Sequence, residues 1–252
     1  MIILAFFVGH WYTSLFFQTF FLHRYAAHGA FRMSERMEKL FFILTYIFQG
    51  SNYLSAYGYG VMHRLHHAFA DTPQDPHSPK YDETLFKMMW KTKTIYSAVT
   101  RDRYPVDAKF KKGVPRWDAF DKFASHMASR LAWGTAYGLF YIAFATEWWM
   151  FLLLPIHFLM SPIHGAIINW FAHKYGYVNH KVNDTSKNFL PFDFLMMGES
   201  YHNNHHHNGG KANFGERWHE VDFTYLIILL LDKVGVITMK GKRSSESRKI
   251  AA

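Results

Sequence analysis

The chain alternates between long apolar blocks and polar segments that carry histidine, and this alternation limits the possible fold more than any other feature. Residues 1 to 22, MIILAFFVGHWYTSLFFQTFFL, hold no Asp, Glu, Lys or Arg and are interrupted chiefly by His10 and Gln18. About 20 such residues cross the hydrocarbon core of a bilayer as a helix, because each contributes ~1.5 Å of rise. A signal peptide would carry basic residues before its apolar core and a small-residue cleavage site after it. Neither is present, so the segment reads as a retained transmembrane helix. A second block, KLFFILTYIFQGSNYLSAYGYGVM at 39 to 62, carries Gln49, Ser51, Asn52 and several glycines in its second half and is a poorer span. Residues 131 to 146 and 148 to 170, separated by Glu147, read as a helical hairpin through the membrane, with Trp133, Trp148 and Trp149 as interfacial anchors. The stretch 221 to 237 is apolar but short, with Asp222, Asp232 and Lys233 at its flanks, and reads as a docked or in-plane helix.

Half of the 252 residues are apolar and the formal net charge is still +9, which points to a membrane protein with cationic cytoplasmic parts. Lys and Arg concentrate at 80 to 122 and in the tail from Lys240, so both are expected to face the cytoplasm, the tail as a mobile end. No repeat, low-complexity tract or linker divides the sequence, and residues 1 to 252 are read as a single domain with no nucleic-acid partner. Cysteine is absent, which excludes disulfides, thiolate zinc sites and iron–sulfur ligation. Any metal must rest on imidazole, carboxylate or amide groups, and 17 histidines make imidazole the candidate.

Three clusters stand out: HRYAAH at 23 to 28, HRLHH at 63 to 67 and HNNHH at 202 to 206. In the second and third the spacing i, i+3, i+4 places the imidazoles along one side of a helix. Adjacent helical residues point roughly 100° apart, so His66 and His67 are expected to diverge towards two ions, as are His205 and His206. Five residues along an ideal helix turn the side chain by roughly 140°, so His23 and His28 converge only if the helix ends between them. Gly29, just after, is compatible with such an end. Isolated histidines are ordinarily packing residues, and His10, His77, His126, His157, His164, His180 and His219 are read so. Eight clustered imidazoles are too many for one zinc hydrolase site, and a transport or storage site does not demand two fixed triads. A dinuclear redox site of imidazole-liking iron is the better fit. If the clusters share one membrane face, the block at 39 to 62 should dip into the interface and not cross, while the later hairpin returns NWFAHKYG (169 to 176) to that same face.

These residues resemble the membrane-bound fatty acyl desaturases, specifically the acyl-CoA (stearoyl-CoA type) delta-9 class, whose three boxes H-x4-H, H-x2-H-H and H-x2-H-H match the three clusters. HRLHHAFADTPQDPHSP, NWFAHKYG, GESYHNNHH and RWHEVDFTY extend the likeness in order, from residue 1 to about 237. The resemblance implies an all-α integral membrane protein with three or four transmembrane helices and a cytosolic helical cap. It also implies a di-iron centre held by His23, His28, His63, His66, His67, His173, His202, His205 and His206, with Asn169 binding through a water; His173 enters on this ground alone. His207 extends the third box where the family is variable, and it inherits no role.

The implied reaction inserts a cis double bond, of delta-9 type, into a saturated acyl chain carried on coenzyme A or lipid. Dioxygen is the co-substrate, and an external donor of ferredoxin or cytochrome b5 type supplies two electrons. GYGVMH (58 to 63) fails the dinucleotide fingerprint at its third glycine, so the donor must be separate. The basic region 80 to 122 would suit an acidic donor or coenzyme A phosphates, or be plain positive-inside topology. A membrane di-iron hydroxylase and a non-catalytic metal-binding or transport protein stand as rival readings. The expected setting is a multi-pass protein of a bacterial cytoplasmic membrane with its site on the cytoplasmic face.

Overall fold

The computed structural model describes residues 1–240, and the expected mobile tail beyond Lys240 lies outside the described residues. The helices in chain order are α1 (Ile2–Phe17), which continues as a π-helix (Gln18–Ala27), α2 (Glu35–Gln49), α3 (Ala56–Phe69), α4 (Leu85–Val99), α5 (Ala108–Lys111), α6 (Asp118–Ala124) and α7 (Met127–Phe144). A 3-10 segment (Trp148–Leu153) then leads into α8 (Leu154–Ala166), which ends in a second π-helix (Ile167–Phe171), and α9 (His202–His207) and α10 (Phe223–Lys233) follow. Two short strands, β1 (Phe31–Arg32) and β2 (Thr238–Met239), pair antiparallel with Phe31 opposite Met239. They tie the end of the described chain to the segment after the first histidine cluster.

Two helical stretches, Ile2–Ala27 and Trp148–Phe171, are long and apolar enough to cross a membrane. Both run towards the histidine clusters at their C-terminal ends. α7, with Leu131, Leu139 and Ile142 exposed, packs against α8. The block at 39 to 62 is not one helix. α2 stops at Gln49, Gly50 takes φ +53°, and Ser55 starts α3 afresh by accepting from the Gly58 amide. The 15 residues of α2 cover ~22 Å, short of a ~30 Å hydrocarbon core. Gln49 is the reason for part of this break: its side-chain oxygen accepts from the Leu54 amide and satisfies the turn.

α2 packs on α1 through a buried aromatic cluster that includes Phe17, Phe20, Phe21, Phe31, Phe41 and Phe42, each worth about 1.5–3 kcal/mol when taken from water. α3 lies tightly against the first π-helix because Gly60 has no side chain. A Cβ there would sit 3.2 Å from the Ala26 carbonyl oxygen and 2.9 Å from a Val114 methyl. Arg64 fastens the contact, donating to the carbonyls of Ala27 at 2.6 Å and Lys112 at 2.7 Å.

The facing sides of α1 and α8 carry polar groups at a depth where apolar side chains would be ordinary. Ser14, Gln18, Ser161 and His164 are all buried, and among the described residues no protein group hydrogen-bonds Ser14 Oγ, Gln18 Oε1, Ser161 Oγ or either ring nitrogen of His164. An unpaired buried polar group costs about 1–3 kcal/mol, so these helices do not meet there for packing alone.

Candidate metal centre

The first cluster comes together by a change of helical winding. In the π-helix a backbone N–H bonds the carbonyl five residues back, so residues five apart stand much closer to one face than they do in an α-helix. The His28 amide bonds the His23 carbonyl at 3.2 Å in this way. The helix therefore does not end between the two histidines, as the sequence suggested; it widens, and His28 is its C-cap. Gly29 follows with φ +57° and turns the chain out.

The second cluster lies on the last turns of α3 and the third on α9. Six residues are far too few for a helix to persist by itself, and α9 is held from outside. The Asn188 side-chain oxygen accepts from the Asn203 and Asn204 amides at 3.0 and 3.2 Å, which caps the first turn. Asn204 then donates to Glu220 at 2.8 Å and to the Phe214 carbonyl at 2.9 Å.

The result is two groups of converging imidazole nitrogens, one of His23, His28, His63, His67 and His205 and the other of His66, His173, His202 and His206. Within each group the ligand atoms lie within 4.8 Å of one another. His66 and His67 fall into different groups, as do His205 and His206. Many of the Nε2 atoms stand about as far apart as ligands around one ion, since a metal–imidazole bond of about 2.0–2.1 Å puts neighbouring nitrogens near 3 Å. Examples are His67 to His205 at 2.8 Å, His23 to His205 at 3.0 Å and His173 to His202 at 3.0 Å. Asn169, on the second π-helix, lines the adjoining cavity with His63 and His202.

Carboxylates behind the ring set the direction of the imidazoles. Nδ1 of His66 is 2.9 Å from Asp75, that of His206 is 2.8 Å from Asp184, and that of His23 is 2.7 Å from Glu199. His173 Nδ1 lies 3.2 Å from the Thr185 hydroxyl, which itself donates to Asp71 at 2.6 Å. A proton held on Nδ1 by a carboxylate leaves Nε2 free as a lone pair pointing inward, the usual arrangement behind a metal-binding histidine. Burial pushes Asp71, Asp75, Asp184 and Glu199 up, but contacts with His173, His66, His206 and His23 outweigh it and hold all four below the ordinary carboxylate range. Burial, and then the neighbouring imidazoles, push His28, His63, His67, His202 and His205 well below the usual range, and His206 down to about 4. These six imidazoles are therefore neutral near pH 7, the form that binds a metal.

Glu199 is further anchored by Arg24, which is fully buried. Arg24 donates to Glu199 at 2.8 Å, to Asp222 at 2.7 Å and to the Ala212 carbonyl at 2.9 Å, with its guanidinium 3.8 Å above the Phe214 ring. These supporting groups are the ones sequence reasoning missed. Their signal was present: Asp75 lies in DTPQDPHSP, Glu199 in GESYHNNHH, and each is a carboxylate within ten residues of a cluster. His207 is exposed and stacks on His180 at 3.9 Å, turned away from both groups. His77 was read as structural; it is buried with its ring 4.3 Å from that of His66, and it lines the cavity. His126 caps α7, accepting from the Ala128 amide.

Beside the two groups lies a cavity walled by Leu15, Met62, Ile168 and Met196 on its apolar side. The fatty acid desaturase family model matches residues 1–221. The chain is 31% identical over 217 residues to the sn-1 stearoyl-lipid 9-desaturase of Synechocystis sp., covering 85% of this chain and 64% of that protein. It is 28% identical to Delta-9 acyl-lipid desaturase 2 of Arabidopsis thaliana, covering 96% and 78%. A third relative, at 26% identity over 97% and 79%, is the Hex-5-enoyl-[acyl-carrier protein] acetylenase of Moorena producens. With its matched span running through all three histidine clusters, the chain belongs to the membrane fatty acid desaturase family, a family of oxygen-dependent oxidoreductases.

Proposed function

We propose that the protein inserts a cis double bond, of delta-9 type, into a saturated fatty acyl chain, with His23, His28, His63, His67 and His205 binding one iron and His66, His173, His202 and His206 the other. Asn169 would bind iron through a water. The observation that carries this reading is the sorting of nine imidazoles into two adjacent groups, beside a cavity with an apolar wall. The donor set suits iron, for imidazole without thiolate is a ligand field that iron accepts. Taking hydrogen from an unactivated methylene is beyond any amino-acid acid or base, and two irons held here supply the redox chemistry needed to use dioxygen for it.

The balance is O2 + 2 e⁻ + 2 H⁺ + –CH2–CH2– → –CH=CH– + 2 H2O. The protein binds and orients the acyl chain against Leu15, Met62, Ile168 and Met196, and the carboxylates behind its imidazoles hold the rings with their Nε2 atoms turned inward. The electrons come from an external ferredoxin or cytochrome b5 type donor, and the basic region at 80 to 122, where Lys87 and Lys93 flank the exposed Trp90 on α4, is the docking candidate. The named relatives act on lipid-linked and carrier-protein-linked acyl chains, which supports a lipid or protein carrier beside the coenzyme A ester that the sequence resemblance implies. The site faces the cytoplasm, and the hairpin of α7 and α8 together with α1 gives three spans.

The test is expression in cells that lack unsaturated fats, with their lipids analysed by mass spectrometry and each acyl carrier supplied in turn to purified protein. New cis-monoenes that vanish with His66→Ala support the reading. Hydroxy acids in their place favour a hydroxylase, and unchanged lipids with bound iron and a competent donor refute both.

A further inference from the structure

The segment 189 to 197 lies across the two long apolar helices and turns large apolar groups outward. The Phe189 ring stands 6.1 Å from Phe171, at the end of the second of them. Further along, the Trp11 indole of α1 donates to the Leu195 carbonyl at 3.1 Å, and the Tyr12 hydroxyl donates to the Phe194 carbonyl at 2.8 Å. Tyr12 lies roughly 15 Å along the helix from His23, so the segment is drawn back from the histidine groups towards the apolar part of α1. Asp193 decides which side chains turn out. It is buried, and its carboxylate accepts from the amides of Met196 and Gly198 at 2.7 Å and of Ser200 at 2.9 Å. Phe192 and Phe194, on either side of this inward group, are 60% and 69% exposed, while Leu195 and Met196 pack inward with Leu15 and Ile168. The His219 ring, 5.7 Å from that of Phe192, brings up its neighbour Trp218, which is 90% exposed. The Thr224 hydroxyl donates to the Met197 carbonyl at 2.8 Å and joins α10 to the segment. On α10 the exposed Phe223, Leu226 and Leu230 share one face, and Ile228 is buried in the aromatic core.

We propose that Phe192, Phe194 and Trp218, continued by the outward face of α10, form a lipid-contact surface that sinks into the boundary of the bilayer on the side of the histidine groups. Each such aromatic ring gains about 1.5–3 kcal/mol when it leaves water, and a cluster of them on a rigid segment marks a surface built to be covered. The surface runs on from Val8 and Tyr12, which the first span exposes, so the lipid that covers the span covers the surface as well. The end of the second span carries the residue types that anchor at head groups. Lys174 Nζ lies 3.4 Å from the centroid of the Trp170 ring, and Lys187 donates to the Lys174 carbonyl at 2.7 Å. Met196 belongs to the same segment and lines the cavity, so the surface sets the cavity at the level where a lipid-borne acyl chain leaves its head group. That purpose rests on the desaturation reading; the lipid contact itself does not.

The chain has no cysteine, so a single introduced one is a unique attachment point for a nitroxide spin label. Phe192→Cys, Phe194→Cys and Trp218→Cys are each labelled in the full chain in lipid nanodiscs. Power-saturation EPR then compares access to dioxygen, which concentrates in hydrocarbon, with access to a nickel chelate, which stays in water. Val8→Cys on α1 and Lys109→Cys on α5 give the lipid and water references. The ratio of dioxygen to nickel access at 192, 194 and 218 should exceed that at 109 several-fold, and a ratio at 192 or 194 no higher than at 109 overturns the proposal. Access to neither reagent, with spin–spin broadening that disappears when labelled protein is diluted with unlabelled, shows a second copy of the chain on this surface and also overturns it. Should the labelled variants not fold, the unsubstituted chain decides the matter. A diazirine on a lipid acyl chain near its head group, activated by light, should leave adducts on 192 to 194 and 218 to 223 by mass spectrometry; adducts confined to α1, α7 and α8 refute the surface. Neither readout needs iron or turnover, so a failure here and a failure of the desaturase reading are distinguishable.

Discussion

Replacing Asp75 by Asn tests the link between the supporting carboxylates and metal binding. The substitution keeps the shape and removes the charge. In the structure Asp75 Oδ1 accepts from His66 Nδ1 at 2.9 Å and from the His77 amide at 2.9 Å, while Oδ2 accepts from the Asp71 amide at 2.9 Å. An Asn can offer its single oxygen to one side only, so its NH2 must face either the Asp71 amide or the pair of donors at His66 and His77. One hydrogen bond to a charged acceptor is lost and replaced by a donor–donor contact, at a cost of about 1.5–3 kcal/mol in folding. The weakened hold on His66 should lower metal affinity about 10- to 100-fold. The assay is competition for ferrous iron against a chelator of known affinity, with thermal denaturation of the metal-free chain run in parallel. Tyr46→Phe, which removes the 2.7 Å bond between Tyr46 and Ser129 and touches none of the supporting carboxylates, serves as the control for destabilisation alone. A Tm that falls as expected with iron affinity shifted less than twofold would show that Asp75 serves the fold and does not orient His66.

Other consequences follow from the same geometry. His206→Ala should remove about half of the bound iron while His207→Ala leaves iron content unchanged, by elemental analysis of purified protein; equal losses would contradict the outward stacking of His207 on His180. Gly60→Ala drives a methyl into Val114 and the Ala26 carbonyl and should cost about 1–3 kcal/mol, read as a lower midpoint in denaturation. In the metal-free chain His206 is held neutral to about pH 4, below the ~6.5 of an unfolded histidine, so its contribution to stability is complete above pH 6.5 and is lost as pH falls from there towards 4. A Tm that stays flat across that interval would refute the neutral-imidazole assignment.

The apolar blocks and the helical spacing of the second and third clusters were legible in the sequence because both obey simple periods. The divergence of His66 from His67, and of His205 from His206, follows from the 100° step of a helix. His173 had no such signal. It stands alone in its segment, and only the tertiary meeting of α8 with α9 brings it to His202. Two things overrode local reasoning. The sequence marked 39 to 62 as a poor span, but the exact place of its break at Gly50 depends on Gln49 folding back onto Leu54, a side-chain choice that hydropathy does not register. The support of α9 by Asn188, Asn179 and Glu220 joins residues up to 41 apart in sequence, which no local pattern contains. The carboxylates behind the imidazoles were visible as residues but not as partners.

The π-helix at the first cluster gives the spacing between two ligands a further meaning. Clusters two and three use gaps of three and four, which bracket the repeat of an ordinary helix, and cluster one uses five, the hydrogen-bond span of the wider one. The interval between paired ligands is thus a gauge of backbone winding, written in the sequence as a number of residues. A gap of five that looks like a mismatch on a helical wheel is a match on a different wheel, and a segment wound that way has given up part of its α-helical stability to bring its two side chains into line.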